Sequence, residues 1–209
     1  PRVANIEVSY AAGCALARFH NGLRDLSKEP FPPSTVHDFE KHLANLDSAL
    51  SKHYEHRQFS AVKAIATRIF ENAKQLDDFD RSANGLVHGD PKITNFLFRK
   101  NSRNREVPAI QALALIDLDT ISIGSYAVEL GDAFRSWCNP HGEDTIETEF
   151  RIDFLGAGIA GYCAEESTAA SIISPCAIVS AIEWVYTELA ARFCADALNE
   201  SYFSWDSSR

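Results

Sequence analysis

The sequence predicts an α+β fold that is mostly helical, with a small strand-rich core near the middle of the chain. Apolar residues recur at helical spacing before residue 85 and again after residue 125. Between these stretches, short apolar runs of strand length alternate with turn residues. With 209 residues, 45% of them hydrophobic, the chain can bury a core as one domain. We therefore divide it into a helical stretch (1–85), a strand-rich stretch (86–124) and a second helical stretch (125–209).

Three helices are predicted in the first stretch. The proline-punctuated segment Lys28–Pro33 separates the first two. Ser34 or Thr35 is the expected cap of the second helix, because their hydroxyls can accept a hydrogen bond from the first turn. Asp38 would then lie in that turn, where the helix dipole favours an acid. The expected ranges are Val8–Leu23, Ser34 or Thr35 to about Ser51, and Phe59–Gln75.

Three strands are predicted in the second stretch, over Leu86–His88, Phe96–Phe98 and Ala112–Ile116. The last run is wholly apolar, so we expect it to be fully buried. Gly89 permits a sharp turn after the first strand, and Pro91 fixes the backbone that follows. Asp90 and Asn95 stand at the two ends of this tight loop and can face a common point. Asp117 follows the third strand and can meet them there.

Three more helices are predicted in the last stretch, over Val128–Cys138, Thr145–Ala164 and Pro175–Glu200. Pro175 suits the first turn of the last helix. The acidic run at 143–149 resembles the beginning of the second, because acids are favoured at helix N-termini.

The residues of the loop point to phosphoryl transfer. Such a site needs a carboxylate that takes the proton of an attacking hydroxyl, and an amide and a second carboxylate that hold magnesium on the nucleotide phosphates. Asp90, Asn95 and Asp117 supply these groups in that order. The protein kinase loop H-R-D-x-x-x-x-N, followed by an aspartate at a strand end, has the same order and spacing.

The Asp117-Leu118-Asp119 segment alone would fit two other chemistries. A phosphatase of the haloacid dehalogenase type requires a threonine two places after the second aspartate, where this chain has Ile121. A glycosyltransferase metal motif would leave the segment His88–Asn95 unexplained. The two segments together therefore favour a kinase-type site.

Further residues have candidate roles. Lys92 would neutralise charge that develops on the transferred phosphoryl group. Asp119 would help hold magnesium, bind the substrate hydroxyl, or serve the structure alone. His88 is expected to be a hydrogen-bonding scaffold. Asp132 is expected to start a helix and brace the loop, with Arg135 as a partner for an acid or for substrate.

At these residues the chain resembles the C-terminal lobe of the aminoglycoside phosphotransferase and choline kinase superfamily. Within that superfamily it looks most like the N-acetylhexosamine 1-kinase-like group. The resemblance lies in four segments: HGDPKITNFLF (88–98), IDLDTISIG (116–124), ELGDAFR (129–135) and ARFCADALNESYF (191–203). It implies a protein-kinase-like fold and ATP-dependent phosphorylation of a sugar-like hydroxyl. Asp90 would be the base, and Asn95 and Asp117 would hold Mg²⁺.

Two residues near the C-terminus carry a substrate hypothesis. Arg192 and Tyr202 match positions that resemble substrate contacts in the hexosamine kinases. Arginine can donate two hydrogen bonds to sugar hydroxyls, and tyrosine can pack against a pyranose face. The alternative for Arg192 is an ion pair at the helix end. One departure is Gly89, where the hexosamine kinases carry asparagine.

The resemblance covers a C-terminal lobe, and the nucleotide lobe of a kinase lacks a counterpart in this sequence. We find no glycine-rich loop and no alternating strand with a lysine before residue 88. The chain begins with Pro1 and contains no methionine. We therefore expect residues 1–209 to be part of a longer protein whose N-terminal lobe is its partner, and the isolated fragment to be inactive.

Charge and cysteine content limit the partners. The net charge of −9 argues against nucleic acid and anionic membranes. We find no signal peptide and no apolar run near the ~20 residues of a membrane span. Five widely spaced cysteines are typical of buried, reduced thiols in a cytoplasmic protein.

Three functions follow for comparison. The first is an ATP- and magnesium-dependent kinase that acts on a hydroxyl of a small polar molecule, a sugar or amino sugar. The second is an aminoglycoside or choline-type kinase, whose cationic acceptor would require an acidic, aromatic pocket. The third is a non-catalytic, pseudokinase-like binding module. A strand lysine upstream in the full-length protein would favour the two enzymes.

Overall fold

The computed structural model describes residues 5–76, 78–100, 109–141, 147–165 and 174–201. Within them lie the helices α1 (Ile6–Leu23), α2 (Phe39–Lys52), α3 (Phe59–Gln75), α4 (Tyr126–Trp137), α5 (Ile152–Ala164) and α6 (Pro175–Asn199). The strands are β1 (Gly85–Val87), β2 (Phe96–Lys100), β3 (Ile110–Leu115) and β4 (Ser122–Gly124). Short 3₁₀ turns cover Ile93–Asn95 and Leu118–Thr120. The predicted α+β, mostly helical class is confirmed.

The chain forms two compact units, each drawn from segments distant in the sequence. The first comprises Pro1–Ser34 and Asp80–Ile182, and it contains all four of these strands together with α1, α4 and α5. The second comprises Thr35–Phe79 and Glu183–Arg209, and it contains α2, α3 and the larger part of α6.

Two antiparallel strand pairs shape the first unit. In one pair, Val87 of β1 lies opposite Ser122 of β4. In the other, Phe96 of β2 lies opposite Leu115 of β3, and the register shifts between Leu97 and Phe98. Each pair therefore begins or ends beside the segment that connects β1 to β2.

The core of the first unit depends on close packing of α1 against α5. A Cβ atom on Gly13 would lie 2.2 Å from the carbonyl oxygen of Gly158, and one on Gly161 would lie 2.0 Å from that of Tyr10. The two helix backbones approach as closely as they do because glycine occupies these positions. Around them, Leu16, Phe134 and Trp137 are fully buried.

The second unit has its own apolar core, formed by residues of α2, α3 and α6 that include Leu46, Ala66 and Leu198. The beginning of α2 differs from the prediction, because the helix begins at Phe39 with Asp38 as its cap. The Asp38 carboxylate accepts a hydrogen bond from the Lys41 amide at 3.2 Å. Prediction of a cap at Ser34 or Thr35 was therefore wrong.

The reason for this error lies in the first unit. Ser34 donates its amide to the carbonyl of Ile123 at 2.9 Å, and Ile123 donates to Pro32 at 2.8 Å. The backbone of Pro33 thus runs as a parallel bridge beside β4 and cannot enter a helix. The backbone hydrogen bonds to β4 therefore outweigh the preference of serine and threonine for a helix cap.

Two further predictions need correction. The helix expected from Thr145 begins only at Ile152, because the amide of Arg151 donates to the carbonyl of Cys138 at 2.8 Å and fixes the entry. Thr145 itself lies outside the described residues, but residues 147–151 are not helical. β3 is not fully buried, since Leu113 is 53% exposed where the strand register shifts.

Across the part of the chain that the structure describes, no helix combines the length and apolar character needed to cross a bilayer.

Candidate active site

Gly89 forms the turn between β1 and the loop that follows. Its φ of +86° lies in the left-handed region, which favours glycine. A Cβ atom here would also lie 2.7 Å from the carbonyl oxygen of Thr120. Backbone conformation and space therefore both favour glycine at this position.

His88 is a buried scaffold residue whose ring joins two backbone segments. Its Nδ1 accepts a hydrogen bond from the Asp90 amide at 3.2 Å, so Nε2 carries the proton that is donated to the Ile116 carbonyl at 2.9 Å. The Thr120 hydroxyl donates to the His88 carbonyl at 2.7 Å. These bonds hold the loop of Asp90 beside the segment of Asp117.

Asn95 closes the other end of the loop. Its side-chain amide donates to the Asp90 carbonyl at 2.9 Å and to the Asp90 carboxylate at 3.3 Å. Asn95 is only 5% exposed. Because the amide nitrogen is committed to Asp90, the amide oxygen is the atom that can serve a cation. The structure thus brings Asp90 and Asn95 together.

Asp117 lies next to this pair in an uncommon backbone conformation. The Ile116 amide donates to the Asn95 carbonyl at 2.8 Å, so Asp117 directly follows a residue bound to Asn95. Asp117 has φ 70° and ψ 57°, in the left-handed region. Most L-residues are held there at a cost of roughly 1–2 kcal/mol, aspartate being among the few that enter the region more readily, and such outliers concentrate at functional sites. Its side chain is exposed to solvent.

Lys92 extends over the loop and contacts the Asp90 carboxylate through its ammonium group. The hydrogen bond to Asp90 raises the pKa of Lys92, and the charges of Asp90, Asp117 and Asp132 act in the same direction. The ammonium therefore stays charged throughout the neutral range. Asp119 is exposed in the 3₁₀ turn after Asp117.

Helix α4 supports the loop through residues that the sequence analysis did not identify. The Glu129 carboxylate accepts from the Gly89 amide at 2.8 Å, and the Trp137 indole donates to the Pro91 carbonyl at 2.8 Å. Asp132 instead accepts from Arg135 at 2.9 Å, and it lies within α4 and does not begin it. An acid among the apolar residues of α4 was the available signal for Glu129.

Arg192 and Tyr202 are the two predicted substrate contacts. Arg192 belongs to the second unit, where it pairs with Asp196 one turn further along α6 at 4.0 Å. Tyr202 lies outside the described residues. The role of both in binding substrate stays a prediction.

Three exposed apolar residues adjoin the site in the sequence, and we call them the apolar strip. It consists of Leu97, Ile116 and Leu118, which are 48%, 40% and 50% exposed. Each lies within two residues of Asn95 or Asp117 in the sequence. These three apolar residues are therefore open to solvent near the start of β2 and just after β3.

Mg²⁺ fits the chemistry of this donor set. It prefers oxygen ligands and is held by one or two carboxylates together with substrate phosphates and water. Asn95 and Asp117 offer an amide oxygen and a carboxylate on adjacent strand ends. Within the described ranges, no three His, Cys, Asp or Glu side chains gather as a metal cage.

Comparison with known proteins identifies the family. The model of a family described as the phosphotransferase enzyme family matches residues 2–167, which is well over half of the chain and includes the whole site around Asp90. No curated protein matches the sequence. The superfamily expected from the motifs is confirmed, whereas the N-acetylhexosamine kinase-like group stays a prediction. The chain belongs to the phosphotransferase enzyme family.

Proposed function

We propose that the protein transfers the γ-phosphoryl group of ATP, with Mg²⁺, to a hydroxyl of a sugar or amino sugar in the cytoplasm. The observation that carries the proposal is the convergence of Asp90, Asn95 and Asp117, with Asp117 held in a left-handed conformation. Left-handed residues outside glycine concentrate at functional sites, so this conformation supports a role in binding.

In this proposal Asp90 is the general base. Its carboxylate is about one-third exposed and is oriented by Asn95 and Lys92, so an acceptor hydroxyl can reach it. The proton of that hydroxyl passes to Asp90 as the hydroxyl oxygen bonds to the γ-phosphorus. The bond from the γ-phosphorus to the bridging oxygen breaks, and ADP leaves.

Asn95 and Asp117 would hold Mg²⁺ through their side-chain oxygens, with Asp119 as a further candidate. The ion would neutralise charge on the β- and γ-phosphates. Lys92 stays protonated because of its acidic neighbours, and it would stabilise charge on the transferred group.

The apolar strip would cover the adenine base. Its residues adjoin the two proposed metal ligands, so a nucleotide can place its base on apolar side chains and its phosphates near oxygens. We assign the remaining phosphate contacts to an N-terminal lobe of the same protein. Residues 1–209 alone would then be nearly inactive, because phosphoryl transfer depends on positioning.

The acceptor class is supported by the resemblance of segment 191–203 to hexosamine kinases. The test is an assay of ADP release by the intact protein with separate sugars, amino sugars, aminoglycosides and choline. We expect release that requires Mg²⁺ and one sugar-class acceptor and that is lost in Asp90→Asn. If ADP is released only with choline or only with an aminoglycoside, the sugar class is wrong and that compound is the acceptor. Nucleotide binding without release for any acceptor would indicate a binding module.

A further inference from the structure

We infer that a buried chain of three side chains, Tyr162, His20 and Glu129, is a positioning device that holds the loop so that Asp90 faces its reactants. The inference rests on the proposed function, because it assigns these residues a role in orienting the proposed base. All three are buried away from solvent and substrate, so each is a positioning residue.

The contacts run in one line from α5 through α1 to the loop. The Tyr162 hydroxyl lies 2.7 Å from Nδ1 of His20. Nε2 of His20 contacts one carboxylate oxygen of Glu129, and the other oxygen accepts the Gly89 amide at 2.8 Å. Residues from α5, α1 and α4 thus meet at the residue that precedes Asp90.

The burial of this line determines what it contributes. The side chains of His20 and Glu129 are each 1% exposed, and Tyr162 is 3% exposed. A buried carboxylate is costly unless its oxygens are hydrogen-bonded. Both oxygens of Glu129 are bonded, one to His20 and one to Gly89. Loss of His20 would leave an oxygen of Glu129 without its partner, and the carboxylate would turn to find another.

The direction of the hydrogen bonds also follows. An ionised carboxylate only accepts, so Nε2 of His20 carries the proton in that contact. In the neutral ring Nδ1 then accepts from the Tyr162 hydroxyl. Glu129 thus selects the tautomer, Tyr162 fixes the ring plane through Nδ1, and the ring in turn fixes the carboxylate of Glu129. The Tyr126 ring, 4.4 Å from the His20 ring centroid to centroid, limits rotation on the other side.

The loop converts this orientation into the position of Asp90. Gly89 has a left-handed φ and lies against Thr120, so its peptide has little freedom except to rotate about its hydrogen bond to Glu129. A change in that bond would rotate the peptide that leads directly into Asp90. Displacement of a catalytic group by about 1 Å can reduce turnover on the order of 100-fold.

The first test needs no activity. Amide hydrogen exchange of Gly89, followed by NMR on the intact protein, should show strong protection in the wild type. His20→Leu should raise the Gly89 exchange rate at least ~10-fold, and His20→Gln, whose side-chain amide can still donate to Glu129, should restore most of the protection. Unchanged exchange in His20→Leu would overturn the inference whatever the protein phosphorylates.

The second test asks whether the device acts through Asp90. We expect His20→Leu to lower kcat at least ~10-fold with little change in the KM for nucleotide. In an Asp90→Asn background the same change should add almost nothing, because the group that it positions is gone. Equal losses in both backgrounds would overturn the inference.

Ser9→Ala is the matched control. The Ser9 hydroxyl donates to the Phe154 carbonyl at 2.7 Å, so it is also a buried hydrogen bond between α1 and the start of α5, and neither residue belongs to the loop. This variant should lose stability without loss of kcat. If His20→Leu does not fold, Tyr162→Phe takes its place, with an expected fall in kcat of about threefold and faster Gly89 exchange. Similar kcat losses in Ser9→Ala and Tyr162→Phe would indicate general destabilisation and overturn the inference.

The two proposals can fail separately. If the wild type transfers no phosphoryl group to any acceptor, the proposed function fails, and the exchange experiment still decides whether His20 and Glu129 hold Gly89. If transfer occurs but Gly89 exchange and kcat do not respond to His20, only the positioning device fails.

Discussion

Three neighbours hold Asp90 in one orientation, two through its carboxylate and one through its backbone amide. Asn95 donates to it from within the loop, Lys92 contacts it from the solvent side, and His88 accepts its backbone amide. Short-range contacts therefore fix the proposed base, and a substitution that replaces a single carboxylate oxygen can test its role.

Asp90→Asn preserves the shape of this side chain but removes its capacity to take a proton. We expect turnover to fall at least ~100-fold, the low end for a general base, while nucleotide affinity measured by calorimetry stays nearly constant. Asp80→Asn is the control, because the exposed Asp80 carboxylate bonds to Ser82, both to its side chain and to its amide at 2.9 Å, and not to the loop of Asp90. Turnover of Asp90→Asn within a few-fold of the wild type would remove Asp90 as the base.

Asp117 combines a proposed metal ligand with a strained backbone. Asp117→Ala and Asp117→Gly should both abolish magnesium-dependent nucleotide binding, because both remove the carboxylate. Their stabilities should differ, since glycine accepts a left-handed φ at no steric cost. We expect the glycine variant to be about 1–2 kcal/mol more stable than the alanine variant in urea unfolding.

Equal stability of these two variants would contradict a strained backbone at Asp117. Magnesium-dependent binding that survives in either variant would contradict its role as a metal ligand.

Among the elements, the contact of α1 with α5 is the most demanding. Gly161→Ala would place a Cβ atom 2.0 Å from the Tyr10 carbonyl oxygen, which belongs to backbone and cannot move aside. We expect a loss of at least about 1–3 kcal/mol in the free energy of unfolding. Gly156→Ala in the same helix meets no atom within 4 Å and should be neutral or stabilising by about 0.5–1 kcal/mol.

Chemical denaturation of the two variants beside the wild type measures both effects. If Gly161→Ala were as stable as Gly156→Ala, the close approach of α1 and α5 would be disproved.

Local elements were predictable where the signal is short in sequence. The loop from Gly89 to Asn95 was predicted with its neighbouring strands, because a turn glycine, a proline and two polar ends lie within seven residues. The beginning of α5 was not predictable, since a backbone bond between Arg151 and Cys138 sets it. A tertiary contact therefore determines the residue at which α5 begins, and the periodicity of apolar residues carries no information about such a contact.

The same distinction applies to the site. Asp90, Asn95 and Asp117 carry chemistry that a motif records. Glu129 and His20 do not, because they meet across 109 residues of chain. A lone histidine near a helix end and an acid in an apolar helix carry meaning only after the fold brings them together.

At the scale of the molecule, the five free cysteines differ in how exposed their thiols are, so their reactivity tests which parts of the fold are buried. Cys163 and Cys176 are exposed, which corrects the expectation of uniformly buried thiols, whereas Cys138 and Cys194 are buried. Burial, and next the charge of Asp153, raise the pKa of Cys138 to about 12, so its thiol stays neutral and unreactive at pH 8.

A thiol reagent at pH 8 should therefore label Cys163 and Cys176 first in the native protein. Peptide mapping after labelling identifies the sites, and unfolding in guanidinium is the control in which all five react. Rapid native labelling of Cys138 would contradict the packing of α4.

Cys138 also links stability to alkaline pH. In the unfolded chain this thiol ionises near pH 9, whereas in the fold it ionises near 12. The folded state therefore binds more protons between these values, and its contribution to stability, intact below pH 9, is lost as pH rises toward 12. Unfolding free energy should fall by up to about 1.4 kcal/mol per pH unit from this group. Cys138→Ala should show a shallower decline.

The pairing of α1 with α5 has a consequence for how the protein is made. α1 ends at Leu23, and its partner helix begins only at Ile152. A ribosome that adds about 5–20 residues per second therefore emits α1 roughly 6–26 s before α5 exists to cover it. Throughout that interval the small, apolar face of α1 is open to other nascent chains and to chaperones. Because the buried line to Gly89 also needs both helices, the loop from Gly89 to Asn95 can acquire its final geometry only late in synthesis.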